Sequence, residues 1–216
     1  MIQRITQKAF DLIVKFETGG PSEYNQHPEW PEGQSGVTIG FGYDLGYEKN
    51  FVADWQPYLD EDAISRLART MGYTGSRAHQ ALSGVRDIKV PWSAAEEVFN
   101  ERTLPQEIRT TLTAFPCSAD KLPADAFGAL VSLVFNRGGL IDDSDRRREM
   151  REIRQIISEM SLNESNAIHE IANQFRSMKR LWPDHHNDSD LVARREAEAE
   201  MIEDSMSGND TGGGIA

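Results

Sequence analysis

Two acidic residues in the first quarter of the chain have the setting of an acid and base pair. Glu17 ends an apolar helical pattern within FETGG, and Asp44 follows the glycine-spaced stretch GVTIGFGY. Hydrolysis of a glycosidic bond with inversion needs one carboxylic acid to protonate the leaving oxygen and a second carboxylate to activate water. Glu17 and Asp44 therefore predict glycoside-hydrolase chemistry.

Each acidic residue has surroundings that suit one of these roles. A general acid must keep its proton near neutral pH, and partial burial behind an apolar helix favours this, so Glu17 is the expected acid. Asp44 occupies a polar, glycine-rich turn and is the expected base, with the Thr38 hydroxyl helping to hold the water. Three other carboxylates compete on sequence alone: Glu23, Glu29 and Glu32.

Two local patterns must position these side chains. Apolar residues at three- and four-residue spacings predict a first helix, which Gly19, Gly20 and Pro21 end, so that Glu17 falls in its last turn or just beyond. Alternation from Val37 to Tyr43 predicts one short strand within 36–46. Glycines fill its second face, which indicates room for a ligand to approach the backbone.

The rest of the chain reads as mainly helical. The stretch 124–135 is the most apolar and predicts a helix buried on nearly all sides. Ser93 and Glu96 resemble a capping box, and we expect Pro105 to interrupt the helix that they open.

These patterns predict an α+β fold, mainly α, in one domain over residues 1–206. We expect a small β-containing lobe at about 17–60 and a helical lobe formed by the remainder with the first helix. The glycine-rich end, 207–216, is expected to be a flexible tail.

Charge and composition exclude several classes of function. The 216 residues carry a formal net charge of -12, with 35 acidic against 23 basic residues, which argues against nucleic-acid and membrane-surface binding. No run has the length of a transmembrane helix, and the N-terminus lacks the apolar core of a signal peptide. We therefore expect synthesis in the cytoplasm and delivery to the substrate by other machinery. The one cysteine, Cys117, allows no disulfide within the chain.

Four stretches together resemble the lysozyme-type muramidases, in the branch typified by the muramidase domain of pesticin. They are FETGG, TIGFGYDLG, LVFNRGG and RREAEAE, and they span most of the chain. Related phage lysozymes have an acidic residue between the glutamate and the threonine, but no Asp lies between Glu17 and Thr38 here. In the pesticin-like branch the aspartate follows the threonine, at the position of Asp44. The resemblance implies a lysozyme-like two-lobed fold and a site of Glu17, Thr38 and Asp44.

The resemblance also implies an activity and further site residues. The activity is cleavage of the linkage from N-acetylmuramic acid to N-acetylglucosamine in peptidoglycan. Asn136 and Arg137 of LVFNRGG are expected substrate contacts, and Arg194 or Arg195 matches a helix arginine that supports the catalytic glutamate. Tyr43 and Trp30 are further expected sugar contacts, Trp30 because its loop joins the two carboxylates.

No cofactor is required for this hydrolysis. His185 and His186 are adjacent, but no further ligand at regular spacing supports a metal site. We expect a monomer that acts on the glycan strand of the cell wall, with delivery machinery or an immunity protein as further partners. A phage endolysin and an antibacterial effector are both consistent with this activity and with delivery by other machinery. A non-catalytic cell-wall-binding module and a lytic transglycosylase stay open as alternatives.

Overall fold

The computed structural model describes residues 5–182 and 189–207, so His185, His186 and the expected tail beyond Ser207 lie outside the described residues. The chain divides into two compact units. One is Glu17–Leu104, and the other combines the chain up to Phe16 with the chain from Pro105 onward. Within these described ranges the elements are mostly helices with one two-stranded antiparallel sheet, which confirms the predicted α+β, mainly α fold class.

The Glu17–Leu104 unit holds the sheet and a set of short helices. Its strands and helices are β1 (Thr38–Ile39), β2 (Tyr43–Asp44), α2 (Phe51–Trp55), α3 (Glu61–Ala68), α4 (Gly75–Leu82) and α5 (Trp92–Val98). An aromatic cluster forms part of its core. The Tyr24 ring meets Phe41 and Trp92 edge to face at 5.7 and 5.4 Å between centroids, and its hydroxyl donates to the Val90 carbonyl. This cluster joins the loop after Glu17 to the tip of the β1–β2 hairpin.

The predicted single strand over 36–46 is wrong, because the chain reverses within it. Gly40 and Gly42 take positive φ angles of 59° and 79°, which glycine adopts without the steric cost that a Cβ brings. The result is a tight hairpin in which Thr38 pairs with Asp44 and Ile39 with Tyr43. The predicted apolar face is present, since Val37, Ile39, Phe41 and Tyr43 are all buried.

Of two helix-boundary predictions, one is wrong and one is confirmed. Helix α5 begins at Trp92 with Pro91 as its N-cap and without a side-chain cap bond, so Ser93 lies inside the helix and forms no capping box. The α-helix is interrupted before Pro105, as predicted, although helical turns continue past it. The backbone widens into a π-helical turn over Phe99–Thr103, and α6 (Leu104–Ala114) continues from it. A proline ring clashes with the carbonyl four residues earlier in an α-helix, and the wider turn relieves that clash.

The unit containing both chain ends is built on two helices that approach closely. Helix α1 runs over Gln7–Thr18, and α8 (Ala124–Arg137) is buried at every position from Ala126 to Val134, as its composition predicts. A Cβ added to Gly128 would lie 2.3 Å from the Cβ of Ala9, so only glycine permits this approach.

The other helices of this unit are short to medium in length. They are α7 (Ser118–Lys121), α9 (Arg148–Glu159), α10 (Ser165–Ser177) and α11 (Ser189–Asp204). None of the helices in the described parts of the chain combines the length and apolar character needed to cross a membrane.

Candidate active site

Glu17 lies in the last turn of α1, as predicted, with its side chain partly exposed. Two glycines end the helix, since Gly19 and Gly20 have φ angles of 71° and 90°. The Thr18 hydroxyl accepts a hydrogen bond from the Gly20 N–H at 3.0 Å and so fixes this exit. The chain therefore turns sharply immediately after Glu17.

Thr38 and Asp44 are brought together by the hairpin register. They are direct partners across the β1–β2 pair, so their side chains project from the same face of the sheet. The next pair, Ile39 and Tyr43, projects from the opposite face. Thr38 also bridges to Glu29, whose N–H donates to the Thr38 carbonyl at 3.0 Å and whose carbonyl accepts from the Thr38 N–H at 2.8 Å. The backbone of Thr38 is thus held from both sides.

The Asp44 carboxylate is held by backbone N–H groups. Its Oδ1 accepts from Gly36 at 3.0 Å and from Gly46 at 2.8 Å, and its Oδ2 accepts from Gly36 at 3.1 Å. The bond to Gly46, two residues on, is the turn-forming role that an aspartate often has. The other donor, the Gly36 N–H, contacts both carboxylate oxygens and so also fixes the plane of the carboxylate.

Glycine is required at both donors, for a reason that the sequence analysis missed. A Cβ added to Gly36 would lie 2.2 Å from Asp44 Oδ1 and 2.3 Å from the Gly46 nitrogen. One added to Gly46 would lie 2.9 Å from Thr74 Cγ2 and 3.0 Å from Asp44 Oδ1. These two glycines therefore make a cradle for the carboxylate, whereas the expected role was space for a ligand. The sequence shows glycines on both sides of TIGFGYDL, Gly36 and Gly46, but it does not show that they approach Asp44.

The Thr38 hydroxyl is one of several buried polar groups that have no hydrogen-bond partner among the described residues, and Trp55 Nε1 and Ser118 Oγ are others. Thr38 is 6% exposed, and its Oγ1 has no hydrogen-bond partner among the described residues. A buried hydroxyl without a partner costs free energy and is uncommon in folded proteins. The oxygen is fully enclosed, so neighbouring side chains must shift slightly before a water can bind it.

The three competing carboxylates lie at the surface. Glu29 receives a hydrogen bond from the Asn25 amide at 3.1 Å, and Glu32 has a positive φ of 78° in a turn. Glu23 is exposed beside the turn at Gly19. None of the three is a direct strand partner of Asp44, in contrast to Thr38.

The two aromatic residues expected to contact sugar have protein partners. Trp30 stacks on His79 at 4.6 Å between centroids, and its Nε1 donates to the Ser35 carbonyl at 3.0 Å. Tyr43 is 5% exposed, and its hydroxyl donates to Asp54 at 2.8 Å. Burial, followed by that hydrogen bond, raises the pKa of Tyr43. The Tyr43 side chain thus belongs to the hairpin face opposite Thr38 and Asp44.

Glu48 is a further carboxylate near Asp44 that the sequence analysis did not single out. Its N–H donates to the Asp44 carbonyl at 3.0 Å, which places it one turn further along the chain. Burial raises the pKa of Glu48, and the charges of Asp54 and Asp44 raise it further. Three acidic side chains thus share this end of the hairpin.

Asn136 and Arg137 belong to the other unit, at the end of α8. The side-chain oxygen Oδ1 of Asn136 accepts a hydrogen bond from the Arg195 guanidinium at 3.3 Å. The Arg137 guanidinium donates to the Arg146 carbonyl and lies 5.8 Å from the Trp182 ring. Burial lowers the pKa of Arg137 to about 10, and the nearby charges of Arg147, Arg195 and Arg146 lower it further.

Arg194 and Arg195 are also in this unit, where they are 2% and 0% exposed. Both donate to Glu198 Oε1, at 3.3 and 3.0 Å. Ser132 on α8 donates to the same oxygen and accepts from Arg194. Burial raises the pKa of Glu198, although Arg195, Arg194 and the Ser132 bond each oppose that rise. This buried polar network joins α8 to α11.

Within the described residues, no group of three or more His, Cys, Asp or Glu side chains has the arrangement of a metal site. Comparison of the chain with family models, with curated proteins and with solved structures gave no match. The arrangement of Thr38 and Asp44 on one hairpin face, with Glu17 in the same unit, is therefore the main basis for assigning a function.

Proposed function

We propose that this protein is a peptidoglycan hydrolase. It cleaves the β-1,4 linkage from N-acetylmuramic acid to N-acetylglucosamine, with Glu17 as the general acid and with Asp44 and Thr38 holding and activating water. One observation carries the proposal: a carboxylate and a hydroxyl lie on the same face of the β1–β2 pair as direct strand partners, and two glycine N–H groups fix the carboxylate.

The hydrogen-bond capacity of Asp44 supports its role toward water. An ionised carboxylate has about four acceptor positions. Backbone N–H groups make three contacts to it, two of them from the single Gly36 donor. Oδ2 therefore keeps the capacity to accept a hydrogen bond from a water molecule. Held in this way, the carboxylate would orient a water without reorganising during the reaction.

The role of Glu17 rests on its position at a partly exposed helix end and on the resemblance of FETGG to the muramidases. The enzyme would act on the cell wall after delivery by other machinery, either as a phage endolysin or as an antibacterial effector. The activity requires no cofactor. Its partner is the glycan strand.

The proposal is tested with purified peptidoglycan and two proteins, the wild type and Glu17→Gln. The wild type should release muropeptides with new reducing ends. The Glu17→Gln variant should lose roughly a hundred- to ten-thousand-fold in rate, the range for general acid catalysis, while its unfolding transition stays close to wild type. Full activity in the variant would overturn the assignment of Glu17.

The same digest separates the alternatives. Mass analysis that finds anhydro products would indicate a lytic transglycosylase. Pelleting with peptidoglycan without release of products would indicate a binding module. Proton NMR of the first-formed anomer distinguishes inversion from retention, and inversion is the expected result.

A further inference from the structure

Tyr47 presents an aromatic ring to solvent three residues after Asp44. Its relative exposure is 63%, and it is the one aromatic side chain among the highly exposed large hydrophobic residues of the described chain. The others are Val52, Leu140 and Leu162. A single exposed apolar side chain is common at a protein surface, so exposure alone assigns no role to Tyr47 and its position and anchoring must do so.

The exposed ring is nevertheless held in place. The Tyr47 hydroxyl donates to the Gln34 carbonyl at 2.9 Å, and its N–H donates to the Asp44 carbonyl at 3.1 Å. These bonds fix both ends of the residue while the ring stays open to solvent. A ring already fixed in this way loses little conformational freedom when a ligand covers it.

The anchoring also ties Tyr47 to the proposed active site. Three successive residues receive or donate the relevant bonds: Gln34 accepts from the Tyr47 hydroxyl, Ser35 accepts from the Trp30 indole, and Gly36 donates to the Asp44 carboxylate. So short a segment leaves the Tyr47 hydroxyl within roughly 12 Å of the Asp44 carboxylate. One bound oligosaccharide can reach both side chains.

We propose that Tyr47 is a sugar-binding platform, on which one pyranose ring of the glycan strand stacks while the strand passes Asp44. The proposal rests on the proposed function for the identity of the glycan. A pyranose presents an apolar C–H face, which covers an aromatic ring well, and few polar groups are needed beside it. Trp30 holds the same segment, because its indole donates to the Ser35 carbonyl while its ring stacks on His79.

The binding experiment uses Glu17→Gln as the parent protein, so that the probe is not hydrolysed during titration. The probe is a soluble tetrasaccharide prepared from peptidoglycan, and affinity is measured by calorimetry. Tyr47→Ala in this parent should weaken binding roughly tenfold, as expected for loss of one aromatic contact. Leu162→Ala, which removes an equally exposed apolar side chain in the other unit, should bind as the parent does.

A second variant separates stacking from a purely structural role. Tyr47→Phe keeps the ring and loses only the bond to Gln34, so it should keep affinity within about threefold of the parent. If Tyr47→Phe binds as weakly as Tyr47→Ala, the side chain acts through the 34–36 segment and the stacking proposal is wrong. Unchanged affinity in Tyr47→Ala would also overturn it.

Hydrolysis by the protein with Glu17 intact distinguishes this inference from the proposed function. If peptidoglycan is hydrolysed and Tyr47→Ala leaves KM unchanged, the platform fails while the proposed function stands. If no product is released but the tetrasaccharide binds through Tyr47, the function fails and the platform stands. Absence of both hydrolysis and binding overturns both. The expected result is hydrolysis, with Tyr47→Ala raising KM more than it lowers kcat.

Discussion

Thr38 and Asp44 are direct partners across a two-stranded antiparallel hairpin, and they differ in how their polar groups are satisfied. The Asp44 carboxylate accepts three backbone contacts, whereas the Thr38 hydroxyl has no partner within the described residues. Leaving the Thr38 hydroxyl unsatisfied beside the rigidly held carboxylate costs free energy of folding. It is the kind of local cost that functional sites retain.

Gly36→Ala should damage the hairpin and the proposed activity together. The new Cβ would lie 2.2 Å from Asp44 Oδ1 and 2.3 Å from the Gly46 nitrogen, so the carboxylate must leave its cradle. Overpacking of this kind costs roughly 1–3 kcal/mol of unfolding free energy. Denaturant unfolding measures that loss, and muropeptide release should fall at temperatures where the variant is still folded.

Gly84→Ala is the matched control for this substitution. Its nearest neighbour would be the Ala81 carbonyl oxygen at 3.5 Å, an ordinary contact, and Gly84 has no positive φ. It should change neither stability nor activity by much. If Gly36→Ala is equally well tolerated, the cradle does not constrain Asp44.

Tyr43→Phe should affect stability alone. The variant loses the hydroxyl bond to Asp54, while Asp54 keeps its ion pair with Arg102 at 3.2 Å. A hydrogen bond to a charged group contributes roughly 1.5–3 kcal/mol, so the midpoint of denaturant unfolding should fall. KM for soluble glycan should not change, because the Tyr43 ring is buried. A raised KM at unchanged stability would instead restore Tyr43 as a substrate contact.

Glu48→Gln should stabilise the protein at neutral pH and not in acid. Burial and the nearby Asp54 and Asp44 charges hold the pKa of Glu48 above its ordinary value of 4.5. The folded state therefore keeps this proton to higher pH than the unfolded state does, and stability is lost as pH rises through the raised pKa. Glutamine cannot ionise, so the difference between variant and wild type should appear across that window when unfolding is followed against pH.

Glu203→Gln should show the opposite sign. Hydrogen bonds from Arg176 lower the pKa of Glu203, so its contribution is present at neutral pH and is lost as pH falls through the lowered value. The variant should be less stable than wild type at pH 7 and converge with it in acid. The same direction of change in both variants would mean that a general charge effect dominates.

Local patterns predicted the parts of the site that are set by neighbours in sequence. The apolar period of the first helix and the two glycines after it place Glu17 in a last helical turn, because both signals act within a few residues. The buried character of α8 is equally readable, since its apolar residues cover every side of the helix.

The sequence pattern could not predict which separated residues pair with each other. A period of two is the same for one strand and for a hairpin that reverses at Gly40 and Gly42. The cradle joins Gly36 to Asp44, and an isolated glycine carries no sign of which carboxylate approaches it. Tyr47 was missed for a related reason, because exposure depends on packing that residue type alone does not set.

Ser132→Ala should destabilise the unit that contains both chain ends. Ser132 donates to Glu198 and accepts from Arg194, and all three are buried. Removal of the hydroxyl leaves buried charged groups with fewer partners, which costs roughly 1–3 kcal/mol. Ser158→Ala removes an exposed hydroxyl bonded to the Gln155 carbonyl and should be nearly neutral. Equal denaturation midpoints for the two variants would show that the network contributes little to stability.

Thr38→Val separates the structural cost of Thr38 from its proposed role. Valine has nearly the shape of threonine, and the hydroxyl that it replaces is buried without a partner among the described residues. Removal of that unpaired hydroxyl should increase the free energy of unfolding by about 1 kcal/mol. Muropeptide release should fall, because Asp44 then holds the water without its neighbour.

Thr70→Val is the matched comparison for Thr38→Val within the same unit. Thr70 is 3% exposed, but its hydroxyl donates to the Leu67 carbonyl at 2.8 Å. Loss of that satisfied bond should destabilise the protein by about 1 kcal/mol and leave hydrolysis unchanged in the folded protein. Opposite signs in stability, with activity lost only for Thr38→Val, are the expected result. A Thr38→Val protein that is both more stable and fully active would remove Thr38 from the mechanism, because its hydroxyl would then serve neither the fold nor the reaction.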